Sequence, residues 1–164
     1  MSIWQTAQKN GEHVRETVIA KHGAFSLKAA AAMLNIKVIA RLDLPTGISS
    51  MIVKHSIEDE ARVYLNADDC RQRQRFALAH AMGHYVEQMV EEENERFSFS
   101  DTCQRTDYDL HELYADHFAY GLLMPTNEVA ELGSDYRNPL AIALRFDVLV
   151  TTARDRLRAL AITN

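Results

Sequence analysis

Two histidines four residues apart, in Arg75-Phe76-Ala77-Leu78-Ala79-His80-Ala81-Met82-Gly83-His84, are the first side chains here whose type and spacing could do chemistry. On a helix that spacing puts both imidazoles on one face, where a single metal ion can bind both. The pair alone is not specific, because helices also carry such pairs as unliganded, half-exposed histidines. A second segment, Glu112-Leu113-Tyr114-Ala115-Asp116, supplies one carboxylate and then another a turn later. Two histidines and Glu112 would fill three positions of a four-coordinate zinc and leave the fourth open, as catalytic rather than structural sites do. Metal-bound imidazole usually donates its other N–H to a carboxylate, and Asp116 suits that role toward His80. Without the histidines, Glu112 and Asp116 would read as the solvated face of an amphipathic helix.

The elements that must carry these residues follow from apolar periodicity. From about Asp69 to Glu92, Phe76, Ala79, Met82, Val86, Met89 and Val90 recur every three to four residues and predict one long helix bearing the histidines. A second helix is expected from about Asp107 to Met124, with Leu110, Leu113, Ala115, Ala119, Leu122 and Leu123 as core candidates and Pro125 as its stop. Gly83, Ala115 and Ala119 would let the two backbones come close, which compensates the roughly 1 kcal/mol of helix propensity that a glycine loses to alanine. The polar stretch Asn94 to Thr106 between them reads as an exit loop. Upstream, Val14, Val18 and Ile19 mark one short helix, and Ser26 is placed to cap another containing Leu27, Ala30, Ala31 and Leu34. Ile36 to Ala40, Ile48 to Val53 and Arg62 to Leu65 predict a small three-stranded sheet. Downstream, Thr126 is expected to cap a short helix ending near Gly133, and Pro139 to Ile162 to form two helices broken around Asp147 to Val150.

With 164 residues and 47% hydrophobic composition the chain can bury the core of one domain, and no repeat or linker divides it. We expect a single α+β domain over 1–164, with helices at about 138–162 as a cap. The formal net charge of -5 does not call for nucleic acid as the main ligand. Cys70 and Cys103 form no Cys-x-x-Cys pair, so neither a disulfide framework nor a thiolate site is supported. No stretch approaches the ~20 apolar residues of a membrane span, and a cytoplasmic protein is expected.

Arg75-Phe76-Ala77-Leu78-Ala79-His80-x-x-Gly83-His84-Tyr85, then Glu112-x-x-Ala115-Asp116-x-Phe118-Ala119 and Leu122-Leu123-Met124-Pro125, resemble the ImmA/IrrE metallopeptidases, a branch of the gluzincins. The resemblance extends over nearly the whole chain, including Leu34 to Val38 and Arg156 to Leu160. It implies a zincin-like domain with one zinc per chain on His80, His84 and Glu112. It also implies a cytoplasmic bacterial or mobile-element protease that cleaves a helix-turn-helix repressor, releasing stress-response or mobile-element genes. In zincins the peptide lies extended along an edge strand, here expected to be Ile48 to Val53 or Arg62 to Leu65.

Ala81 departs from the family pattern. The family places a glutamate there, which takes a proton from the attacking water and passes it to the leaving amine. Losing a positioned general base typically costs 10² to 10⁴ in rate, so the chain as written is expected to be nearly inert. Either the residue was substituted to trap the protein, which the survival of every other site position favours, or the chain is a natural pseudoprotease that binds and sequesters its repressor. Tyr85, Tyr114 and His117 are candidates to stabilise an oxyanion. His111 and His117 stand about 100° and about 140° from Glu112 on an ideal helix, which suits surface or supporting roles better than ligation. Glu91-Glu92-Glu93-x-Glu95 reads as a solvated helix end. Ala143 to Leu157 has the rhythm of a helix-turn-helix with Arg145, Arg154, Arg156 and Arg158 nearby, but Asp147, Asp155 and the acidic whole argue against direct DNA binding.

Overall fold

The computed structural model describes residues 1–91, 99–102, 109–132 and 137–163. Cys103, Gly133 and the acidic run beyond Glu91 lie outside them. The chain begins with a 20-residue helix α1 (Ile3–His22), much longer than the apolar residues alone suggest. Gly23 ends it in the left-handed conformation at φ 79°. Helix α2 (Leu27–Met33) starts at Ser26, whose side chain accepts from the Ala29 N–H as anticipated. Strands β1 (Ile36–Arg41), β2 (Ser50–Lys54) and β3 (Ala61–Asn66) follow, then the long helix α3 (Arg71–Glu91).

The sheet has four strands, not three, in the order β1-β3-β2-β4. The added strand β4 (Phe99–Thr102) lies inside the stretch read as an exit loop and pairs antiparallel with β2. Only four residues long and without an apolar alternation, it is recruited by the backbone of β2 rather than by its own pattern. β3 pairs parallel with β1 and antiparallel with β2. Neither alternative for the peptide-docking edge, Ile48 to Val53 (β2) or Arg62 to Leu65 (β3), is an edge: both strands are interior, and the edges are β1 and β4. Alternation on β2 and β3 buries Ile52, Ala61, Val63 and Leu65, and the Ser50 hydroxyl donates to the Ala77 carbonyl at 3.2 Å, joining sheet to α3.

Helix α4 (Leu110–Leu123) is sandwiched between α3 and α1. Two contacts fix its distances. A Cβ on Gly83 would stand 2.7 Å from the Ala115 Cα, and one on Gly121 would stand 2.1 Å from the Gln8 carbonyl oxygen. Neither position admits a side chain without moving backbone. Ala115, Ala119, Leu122 and Leu123 are buried as expected, whereas Leu110 is 63% exposed. Helix α5 (Thr126–Ala130) is capped by Pro125, not by Thr126, whose hydroxyl donates instead to Glu12 at 2.8 Å. Helices α6 (Pro139–Phe146) and α7 (Val150–Thr163) flank the expected break, where Asp147 adopts φ 54°. Among the described residues no helix is long and apolar enough to cross a membrane.

Candidate metal centre

α3 and α4 run antiparallel, and their side chains meet in matched pairs. His80 and His84 share one face of α3, and Glu112 extends toward both from the first turn of α4. The two Nε2 atoms are 3.0 Å apart. Glu112 Oε2 lies 3.3 Å from His80 Nε2, and Oε1 lies 3.3 Å from His84 Nε2. Three ligand atoms held tetrahedrally at 2.0–2.1 Å from one zinc would stand about 3.4 Å apart. The two Nε2 atoms, and each Nε2 with its own oxygen of Glu112, stand at about that separation, and one donor atom from each residue lies within 4.8 Å of the other two, so the donor set suits the ion in chemistry and lies close to it in spacing.

The supporting groups aim these atoms. His80 Nδ1 lies 2.9 Å from Asp116 Oδ1, one turn beyond Glu112, and donating its proton there leaves the Nε2 lone pair facing the site. Both histidine side chains are almost wholly buried, while that of Glu112 keeps 17% exposure and marks the open side. Burial pushes the Glu112 carboxyl up, but the hydrogen bonds and charges of His80 and His84 together outweigh it and bring it down to about 2. The turn bearing Glu112 is capped by Asp109, whose Oδ1 accepts from the N–H groups of His111 at 2.9 Å and Glu112 at 3.0 Å.

Among the described residues His80, His84 and Glu112 form the one cluster of metal-ligating type. A profile of the IrrE N-terminal-like domain of the M78 peptidases matches residues 31–158, a span that holds all three residues and Asp116. The chain belongs to the M78 peptidase family. No curated protein matches it. M78 is a metallopeptidase family, and in this chain Ala81 is buried on α3 beside His80.

The structure does not bring every candidate to the centre. The Tyr114 hydroxyl accepts from Asn10 Nδ2 at 2.8 Å and so points to α1. His117 packs edge-on against Tyr120 at 5.6 Å on the back of α4, its buried Nδ1 without a hydrogen-bond partner among the described residues. Burial, then the nearby charge of Arg156, lowers its pKa, with Asp116 opposing. Tyr85 is buried in the core cluster. His111 does more than decorate a surface: its Nδ1 lies 3.1 Å from an oxygen of Glu87, a buried carboxylate absent from the sequence reading. The available signal was spacing, since Glu87 falls three residues after His84 and thus on the ligand face.

Proposed function

We propose that this chain is the zinc-binding scaffold of an M78 endopeptidase, deprived of its general base by Ala81, whose protein substrate is a helix-turn-helix repressor in the cytoplasm. The convergence of the two imidazole Nε2 atoms, 3.0 Å apart, on the Glu112 carboxylate, each 3.3 Å from one of its oxygens, carries the reading. When bound, zinc would act as a Lewis acid and make water a nucleophile near neutral pH. His80, His84 and Glu112 would hold it, Asp116 would keep His80 in the tautomer that binds, and the family resemblance supplies the repressor as partner. Of the two sheet edges, β4 is the one against α3, so the peptide strand is expected to add there by backbone pairing rather than at β2 or β3.

The test is Ala81→Glu. A buried carboxylate is costly unless paired, so this variant should be less stable than the parent without zinc and regain stability with it. Cleavage of a helix-turn-helix repressor, abolished by chelator, should rise by about 10²- to 10⁴-fold over the parent chain. A variant that binds zinc and repressor yet cleaves nothing would favour the second reading, a natural pseudoprotease that sequesters its repressor; the intact ligand cage around Ala81 is the observation behind it. Direct DNA binding is weaker still, because Arg156, one of the four tail arginines, is fully buried in internal hydrogen bonds.

A further inference from the structure

We propose that Glu87 and His111 are positioning residues for the metal centre, tying the first turn of α4 to α3 and thereby setting where the Glu112 carboxylate stands. The inference rests on the metal reading above and concerns residues outside its ligand set.

Three contacts step along the antiparallel helices like rungs: His80 with Asp116 at 2.9 Å, His84 with Glu112 at 3.3 Å, and Glu87 with His111 at 3.1 Å. Glu87 is seven residues past His80, two helical turns, so it lies within about 20° of His80 and about 60° of His84 around the helix, on the face they share. Below the last rung, the contact of Gly83 with Ala115 locks the helix separation. Above it, only the first turn of α4 remains. The N–H groups of a first turn have no partner within the helix, so this turn is the part most prone to fray. Glu112 sits in that turn and is the one ligand of the three not buried. The Asp109 cap orders the turn within α4 but does not reach α3.

Glu87 supplies that reach. Its side chain is 6% exposed, whereas that of His111 is 55% exposed. An ion pair between two exposed groups would hold little. A carboxylate taken out of water instead demands compensation in a fixed place, and the imidazole that meets it belongs to the residue next to Glu112. Moving the first turn away from α3 would separate the buried carboxylate from this partner, so the Glu87 contact resists the displacement that would also draw Glu112 off the histidines.

Cobalt(II) titration of the full chain, followed by its visible absorption, tests this, with Glu112→Ala as the reference for a site reduced to two histidines. Glu87→Ala and His111→Ala are each expected to weaken cobalt binding about tenfold and to shift the band toward that reference. The double variant should lose no more than either single one, since both break the same contact. Glu87→Gln, whose amide oxygen can still accept from the His111 ring, should retain most of the parent affinity. A merely structural role would move only the thermal midpoint of the metal-free protein and leave the band alone. Should Glu87→Ala fail to fold, His111→Ala carries the test from an exposed position. Folded variants with parental band and affinity overturn the proposal while leaving the metal reading standing; a parent chain that takes up no cobalt overturns both.

Discussion

On the face of α4 turned toward α3, His80, His84 and Glu112 crowd their lone pairs into one small space. On the face turned toward α1 and α7, buried cations are matched atom by atom. Arg156 donates from Nε to the Met124 carbonyl at 3.1 Å, from Nη1 to Gln8 at 2.8 Å and from Nη2 to Thr126 at 3.1 Å. Arg15 clasps Glu128 at 2.8 and 3.0 Å, reaches the Leu122 carbonyl at 3.1 Å, and lies over the Phe25 ring. Burial pushes Arg156 down to about 10, which still leaves it charged at neutral pH. One helix thus separates two kinds of buried polarity. The two arginines have their partners within the chain; the donor atoms of His80, His84 and Glu112 converge on one another instead.

The comparison breaks most visibly at the ligands. His80→Ala, His84→Ala or Glu112→Ala should each abolish stoichiometric zinc uptake, measured by metal analysis after gel filtration, while the chain stays folded on its matched back face. Full zinc occupancy after loss of both histidines would refute the assignment. Next in size is Arg156→Met on the opposite face. Leaving the buried Met124 carbonyl without its donor should cost about 1–3 kcal/mol of stability in urea unfolding, while zinc affinity of the folded protein stays within about twofold. A large loss of zinc affinity there would show that the two faces are not separate.

Asp116→Ala should weaken zinc binding by roughly 10- to 100-fold without abolishing it, because it frees His80 to turn without removing a ligand. Competition against a chromophoric chelator would read this. The smallest effect concerns His117 and pH. Its pKa is depressed in the fold, so the stability it gives by staying neutral is whole above its ordinary pKa of about 6.5 and is lost as pH falls below that toward the depressed value. In the metal-free protein, the parent should lose stability over this range more steeply than His117→Gln. Equal slopes would mean that the back face does not resist protonation.

The sequence exposed what is periodic or local. The histidine pair, the Glu112–Asp116 turn and the helices carrying them follow from spacing along single segments, and their boundaries fall within a few residues of expectation. β4 was illegible because its four residues carry no pattern of their own and depend on β2, about fifty residues away. The Glu87–His111 contact is likewise a meeting of two helices that neither segment announces. Leu110 misled because periodicity marks the face a residue belongs to, not how much of that face the fold covers. Gly83 was readable as a point of close approach, but Gly121 gave no comparable hint, since its neighbour is the backbone of Gln8.

That last contact has a practical consequence for drawing boundaries. The stretch recognisable as an M78 domain begins at residue 31 and omits α1, yet Gly11 seats directly on the α4 backbone, where a Cβ would lie 2.2 Å from the Phe118 carbonyl oxygen. A fragment trimmed to the recognisable unit would uncover the rear of the helix that bears Glu112, leaving apolar surface open to self-association. For expression, dissection or grafting, a piece cut with α1 kept is therefore expected to behave better than the recognisable stretch alone.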